Sequence, residues 1–170
     1  MKKVVSIILA IMLGLVAFAE TVPSKTVEDM AIFTPEAEGL YIEEIETEEA
    51  DAEIEVLAEA ETLEEYFGEE TIADVKAITE NEYPCVCEFM SIVAGGYTEE
   101  MGDVKTNGKF ASTFEKDTKV AALIGFTGAE EIEWNVIEAV GLEDGSIDMT
   151  IPGDLLTRIQ DEGAYFAVIK

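Results

Sequence analysis

The chain has 170 residues, of which 38 are Asp or Glu and 10 are Lys or Arg; it has no histidine, and its net charge is -28. This acidity argues against nucleic-acid binding and against docking on anionic membranes, because both surfaces attract basic residues. The lack of histidine removes Ser-His and Cys-His nucleophiles, histidine-ligated zinc and the usual proton switch near neutral pH.

Residues 1–19 have the pattern of a secretory signal peptide. Lys2 and Lys3 precede an apolar run, and Ala17 and Ala19 supply the small residues that a signal peptidase requires before Glu20. The run is shorter than the ~20 residues that span a bilayer, so the pattern favours cleavage over a membrane anchor. We therefore predict a secreted, extracellular protein with no integral membrane segment after the signal is removed.

Residues 20–70 are the most acidic part of the chain. From 20 to 80 there are 21 acidic residues and two lysines. Such blocks repel themselves and bury little apolar surface, which favours a largely disordered, acidic, flexible spacer. Ala, Glu and Leu also favour short helices around 54–67, but like charges four residues apart oppose them. Folding of the segment on a partner is the alternative to a plain spacer.

The pattern changes near residue 71, where short apolar runs recur between turn residues. The predicted strands are 85–93, 104–114, 119–126, 131–140, 146–151 and 164–169. Regular short strands of this kind predict an all-β domain over 71–170. We predict an antiparallel, immunoglobulin-like β-sandwich of about seven strands, in preference to a barrel.

Turn residues refine this prediction. Asp144-Gly145 predicts a hairpin before the alternating strand 147–151, and Asn107-Gly108 predicts a second turn that would split 104–114. Residues 120–126 are apolar on both faces, which is typical of a central strand. Residues 155–160 predict a short helix before the last strand.

Several motifs occur together in the last half of the chain. They are Gly102-Asp103-Val104, the runs 110–114 and 119–125, Trp134, and the runs 143–147, 155–160 and 164–169. This combination resembles a small, functionally uncharacterised β-sandwich domain in secreted proteins of Gram-positive anaerobic bacteria. The resemblance implies a sandwich fold, export and no activity, with 104–114 as one continuous strand.

Cys85 and Cys87 are the only cysteines. In an extended strand their Cβ atoms lie roughly 6.5–7 Å apart, whereas a disulfide needs about 3.8 Å. A bond between them would require a local kink. The spacing favours two small apolar residues packed on the inner face with Phe89, and two thiolates alone make a poor zinc site.

Three sets of residues are candidates for binding. Glu143, Asp144 and Asp148 offer oxygen ligands for calcium, although no complete calcium loop is present and solvated charge is the favoured interpretation. Trp134 alternates with apolar neighbours, which favours the core over a ligand platform. Tyr97 follows Gly95-Gly96 and is predicted to be an exposed ligand contact in a loop.

These observations predict an exported, non-enzymatic β-sandwich module that uses no cofactor and that binds an extracellular protein or glycan. One alternative is a carboxylate-based extracellular hydrolase of glycans. Such an enzyme needs two acids at defined separations in a cleft, a condition that the sequence does not specify. The other alternative is a structural subunit of a secreted assembly.

Overall fold

The computed structural model describes residues 30–128 and 131–170. The predicted signal peptide at 1–19 and the first part of the predicted spacer, 20–29, lie outside the described residues. Within the described residues, no helix combines the length and apolar character that a membrane span requires.

Eight antiparallel strands form a closed barrel in the order β1-β2-β3-β8-β5-β6-β7-β4. The strands are β1 (Ile32–Pro35), β2 (Tyr41–Ile45), β3 (Val86–Gly95), β4 (Val104–Lys109), β5 (Lys119–Thr127), β6 (Ile132–Gly141), β7 (Ile147–Ile151) and β8 (Ala164–Ile169). Within the described residues the α-helices are α1 (Glu48–Glu59), α2 (Leu63–Phe67), α3 (Glu69–Thr79) and α4 (Gly153–Glu162).

The predicted immunoglobulin-like sandwich is therefore wrong, and so is the sandwich that the family resemblance implied. Strand β1 pairs with β2 on one side and with β4 on the other, which closes the sheet. In this register Ile32 lies opposite both Glu43 and Lys109. Short alternating strands occur in both architectures, so the sequence pattern after residue 85 did not distinguish them.

Side chains fill the interior of the barrel. The rings of Phe33, Phe110 and Phe166 meet there, with the Phe166 ring centroid 5.3 Å from that of Phe33 and 5.9 Å from that of Phe110. Helix α4 closes one end of the barrel, where Leu156 and Ile159 are fully buried. The interior of an eight-stranded barrel is just wide enough for such a core, or for one small ligand in its place.

The loop 110–118 connects β4 to β5 at the opposite end of the barrel from α4. The buried carboxylate of Glu88 accepts a hydrogen bond from the backbone N–H of Ser112 at 2.7 Å. The hydroxyl of Ser112 donates to the carbonyl oxygen of Cys87 at 3.1 Å. These two bonds attach the loop to β3.

Helices α1, α2 and α3 cover the outer face of one half of the barrel. Leu57, Phe67 and Ile72 are buried from the helical side, and Leu123 and Ala167 are buried from the strands. The barrel strand β5 is consequently buried on both faces. The apolar character of 120–126 thus reflects a helical layer on the outside and the barrel core on the inside.

The flexible spacer predicted for 20–70 is wrong for the part that the structure describes, which contains β1, β2, α1 and α2. Each like-charged pair four residues apart opposes a helix by only about 0.2–0.5 kcal/mol. Burial of a large apolar side chain such as Leu57 or Phe67 contributes roughly 1.5–3 kcal/mol. The N-caps add to this, since Thr47 accepts the N–H of Ala50 at 3.0 Å.

Several local predictions can be compared with the structure. Asp144-Gly145 forms the β6–β7 hairpin turn, and the helix predicted at 155–160 lies within α4. Asn107-Gly108, in contrast, lies inside β4 and pairs with β1 and β7. The predicted turn there is wrong, and the strand ends at Lys109 rather than continuing to residue 114.

Asp51 in α1 lowers the stability of the protein when it is ionised, because of its surroundings in the acidic segment. Burial, and then the charges of Glu46, Glu55 and Glu48, raise the pKa of its carboxyl group. The penalty is absent below the unfolded-state pKa, where both states are protonated. It grows as the pH rises from the unfolded-state pKa to the raised folded-state pKa, and it is complete above the latter. We expect Asp51→Asn to raise the melting temperature at pH 7 by roughly 1–2 °C, and by much less near pH 3.

Thermal unfolding followed by circular dichroism at several pH values measures this difference. Asp154→Asn is the matched control, since Asp154 is an exposed acid in the first turn of α4. Both replacements remove a favourable interaction with a helix dipole, because Asp51 lies in the first turn of α1 as Asp154 does in α4. Only Asp51→Asn also removes the unfavourable burial and charge repulsion, so Asp154→Asn should not raise the melting temperature. A lower melting temperature for Asp51→Asn at pH 7 would contradict the assignment of an unfavourable charge to Asp51.

Candidate functional site

A groove lies outside the barrel, between the α1–α2 pair and the β5–β6 hairpin. We call it the acidic groove; its volume is about 740 Å³. The acidic residues that line it are Glu53, Glu59, Glu65 and Glu131. Its apolar and aromatic lining includes Val56, Tyr66, Phe67 and Ile132, and none of its lining residues is basic.

Local structure holds the helical wall of the acidic groove in place. Thr62 caps α2 by accepting the N–H of Glu65 at 3.2 Å, and the carboxylate of Glu65 accepts the N–H of Glu61 at 2.8 Å. This reciprocal pattern resembles a capping box and fixes the turn between α1 and α2. On the barrel side, Thr127 pairs with Ile132 where β5 meets β6.

The phenol of Tyr66 connects the two helices across the groove. Its hydroxyl donates to a carboxylate oxygen of Glu53 at 2.9 Å. Burial, and then the charge of Glu53, raise the pKa of Tyr66, so the phenol stays protonated and continues to donate. Burial and the charge of Glu53 also raise the pKa of Tyr165, which lines a smaller neighbouring groove of about 240 Å³.

Aromatic rings pack beneath the groove and make its floor rigid. The ring centroid of Trp134 lies 4.9 Å from that of Phe67, 6.2 Å from that of Tyr66 and 6.1 Å from that of Phe89. Gly125 leaves room for the indole, since a Cβ at this position would lie 2.6 Å from a ring carbon of Trp134. The groove therefore has both aromatic rings and carboxylates around one opening.

Trp134 is half-buried and packs in the outer helical layer, under α2. Its indole N–H is buried and has no hydrogen-bond partner among the described residues. Tyr97 lies elsewhere, near α4, and is 8% exposed rather than an exposed contact. Its hydroxyl donates to the carbonyl oxygen of Gly102 at 3.2 Å, which holds the segment before β4. Its N–H donates to the side chain of Gln160 at 2.9 Å, which attaches α4.

The calcium candidates lie along the β6–β7 hairpin and have separate partners. Asp144 accepts the N–H and the hydroxyl of Ser146, at 3.1 and 2.5 Å, which stabilises the turn. Asp148 pairs with Lys105 at 2.7 Å, and Glu143 lies 3.8 Å from Lys116. Across 30–128 and 131–170, no group of three potential ligands is arranged to hold a metal ion.

Cys85 and Cys87 are free thiols at the start of β3. The pairing of β3 with β8 shifts register between Val86 and Glu88, and Cys87 is buried in the barrel core, whereas Phe89 packs in the outer layer. Burial, and then the neighbouring Cys85, raise the pKa of Cys87 to about 12. A thiol held protonated in this way is a poor nucleophile.

Sequence reasoning did not find the acidic groove, although two signals were present. Thr62-Leu63-Glu64-Glu65 matches the capping-box pattern that marks a helix start. Tyr66-Phe67 places two aromatic residues in a segment whose other residues are mostly acidic or small. Both signals indicate a folded element, and neither indicates that Glu53 and Thr127 lie nearby.

Comparison of the chain with protein-family models, with curated proteins and with solved structures finds no match.

Proposed function

We propose that this chain is an exported, non-enzymatic binding module, and that it holds an extracellular ligand or partner in the acidic groove. The observation that carries the proposal is the division between a filled barrel and an open groove outside it. The interior is occupied by fully buried side chains such as Phe166. The groove offers an aromatic floor and several carboxylates at the surface.

Burial and neighbouring charges raise the pKa of the Asp51 carboxyl group. The position of this group bears on the choice between a binding module and a glycan hydrolase. A glycan hydrolase needs a general acid with a raised pKa facing a second carboxylate across a cleft. Asp51 is not among the residues that line the acidic groove. This placement supports a binding role for the groove in preference to acid catalysis.

The proposal is tested with the labelled full chain on an array of glycans and of peptides with varied charge. Val56→Arg fills the groove with a long side chain, because Val56 is 53% exposed at its edge. Val140→Arg is the matched control on β6, at an exposed valine that does not line the groove. We expect Val56→Arg to weaken binding at least roughly tenfold and Val140→Arg to leave it within about twofold.

Equal binding by both variants would contradict a site in the groove. Release of sugar from any glycan on the array would favour the hydrolase. Export has a separate measurement, because the chain recovered from the culture medium of a secreting host should begin at Glu20. Retention of residues 1–19 inside the cell would contradict it.

A further inference from the structure

The charge around the acidic groove is almost wholly negative. The helical segment 48–79 contains twelve carboxylates and one basic residue, Lys76. Lys76 already pairs with Glu64 at 2.8 Å. A partner that enters this field must supply the opposite charge, because burying further carboxylates without cations is costly.

The shape and chemistry of the groove favour an organic cation. Val56 is 53% exposed and Tyr66 is half-buried, so both present apolar surface to whatever occupies the groove. Arginine and lysine side chains combine an apolar stem with a charged end, and they interact favourably with aromatic rings as well as with carboxylates. The absence of a three-ligand cluster among the described residues argues against a metal ion as the occupant.

The hydrogen bond from Tyr66 prepares Glu53 for such a partner. The phenol occupies one carboxylate oxygen at 2.9 Å, which orients the group. The other oxygen and the carboxylates of Glu59 and Glu131 have no basic partner within 30–128 and 131–170. A guanidinium group is suited to bridge carboxylates in this way, since it presents five donors in one plane.

We infer that the acidic groove binds a basic, extended peptide segment of a partner protein, with an arginine or lysine side chain on Tyr66 and against Glu53 and Glu59. This inference rests on the proposed binding function and deepens it by naming the partner's chemistry. The open groove of about 740 Å³ has room for one such side chain together with a stretch of backbone.

The test is a titration of the full chain with a ten-residue peptide of alternating arginine and serine. The control peptide carries citrulline for arginine, which keeps the planar end group and removes its charge. Trp134 is the only tryptophan of the chain and contacts Tyr66 and Phe67, so its fluorescence reports occupancy. We expect saturable binding of the arginine peptide and at least roughly tenfold weaker binding of the citrulline peptide.

Two double variants distinguish binding in the acidic groove from nonspecific attraction of the peptide to the negative charge of the chain. Glu53→Gln with Glu59→Gln removes two charges from the groove, and Glu43→Gln with Glu100→Gln removes two charges at exposed positions that do not line it. We expect roughly tenfold weaker binding for the first pair and less than about twofold for the second. Far-UV circular dichroism and melting temperatures verify that all four substitutions preserve the fold.

Equal loss in the two double variants would overturn the inference in favour of nonspecific attraction, and equal binding of the two peptides would overturn it as well. Failure of the arginine peptide to bind would also overturn it. In that case, binding of uncharged array ligands that Val56→Arg abolishes would leave the proposed function standing. An array that shows no groove-dependent binding would contradict both the inference and the proposed function.

Discussion

Phe67→Ala is expected to destabilise the protein by about 3–5 kcal/mol, which corresponds to a fall in melting temperature of about 10 °C or more. Phe67 ends α2, is 3% exposed and packs against Trp134 and Tyr66 in the outer layer. Its removal leaves a cavity between the helices and the barrel. Urea unfolding followed by circular dichroism and by Trp134 fluorescence measures the change in the free energy of unfolding.

The control for this prediction is Tyr83→Ala, which removes an aromatic ring from a loop residue that is 78% exposed. That substitution should change stability by less than about 0.5 kcal/mol. If residues 48–67 formed a flexible spacer, Phe67→Ala would have an equally small effect. A loss of less than about 1 kcal/mol would therefore contradict the packed helical layer.

Gly96→Ala is expected to destabilise the protein by about 3 kcal/mol. Gly96 has a φ of +80°, a backbone conformation that costs an alanine roughly 1–2 kcal/mol. A Cβ at this position would also overlap the carbonyl oxygen of Gly39, so the turn between β1 and β2 would have to move. Chemical denaturation of the variant measures the loss.

Gly39→Ala separates the two causes in the Gly96 prediction. Gly39 has a φ of +83°, but nothing lies within 4 Å of the position that its Cβ would take. It should therefore show the conformational penalty of about 1–2 kcal/mol without the overlap. Equal losses for the two variants would show that the approach of Gly96 to the β1–β2 turn contributes nothing.

The strands after residue 85 could be predicted because their signals are local. Ile147, Met149 and Ile151 alternate with polar residues, and all three are fully or nearly fully buried. Asp144-Gly145 supplies a turn that depends only on its neighbours. The closure of the sheet could not be predicted in this way, because it depends on pairs such as Ile32 with Lys109. In β1, an exposed Ile32 and a terminal Pro35 give little sign of a strand.

Two signals conflict in the helical segment, because its charge favours disorder whereas the spacing of its apolar residues favours a helix buried on one face. Ala50, Ile54 and Leu57 are spaced by four and three residues, which places them on one face of α1, and all three are buried. That spacing is visible in the sequence. This spacing stabilises the helix only where the barrel supplies an apolar surface for the buried face, since an isolated helix of this charge would be unstable.

The candidate site combines what the sequence shows with what only the fold provides. The excess of carboxylates in 48–79 is plain from composition, and so is Tyr66. The meeting of Glu53, Tyr66 and Thr127 around one groove arises from the packing of α1 and α2 beside the β5–β6 hairpin. Turn signals favoured Tyr97 and the three calcium candidates. In the structure Tyr97 attaches α4, Asp144 stabilises the β6–β7 turn, and Asp148 pairs with Lys105 of the neighbouring strand.

The short strand β1 has a consequence for the order in which the chain folds. Its four residues are synthesised early, yet β4, which they pair with to close the barrel, comes more than half-way along the sequence. Contacts between such distant segments carry a large loop-closure entropy and slow the folding reaction. Until β1 is in place, β2 and β4 present unpaired edges to neighbouring chains, which is a recognised route to aggregation. The strong negative charge of the chain opposes this aggregation, because partly folded copies repel one another.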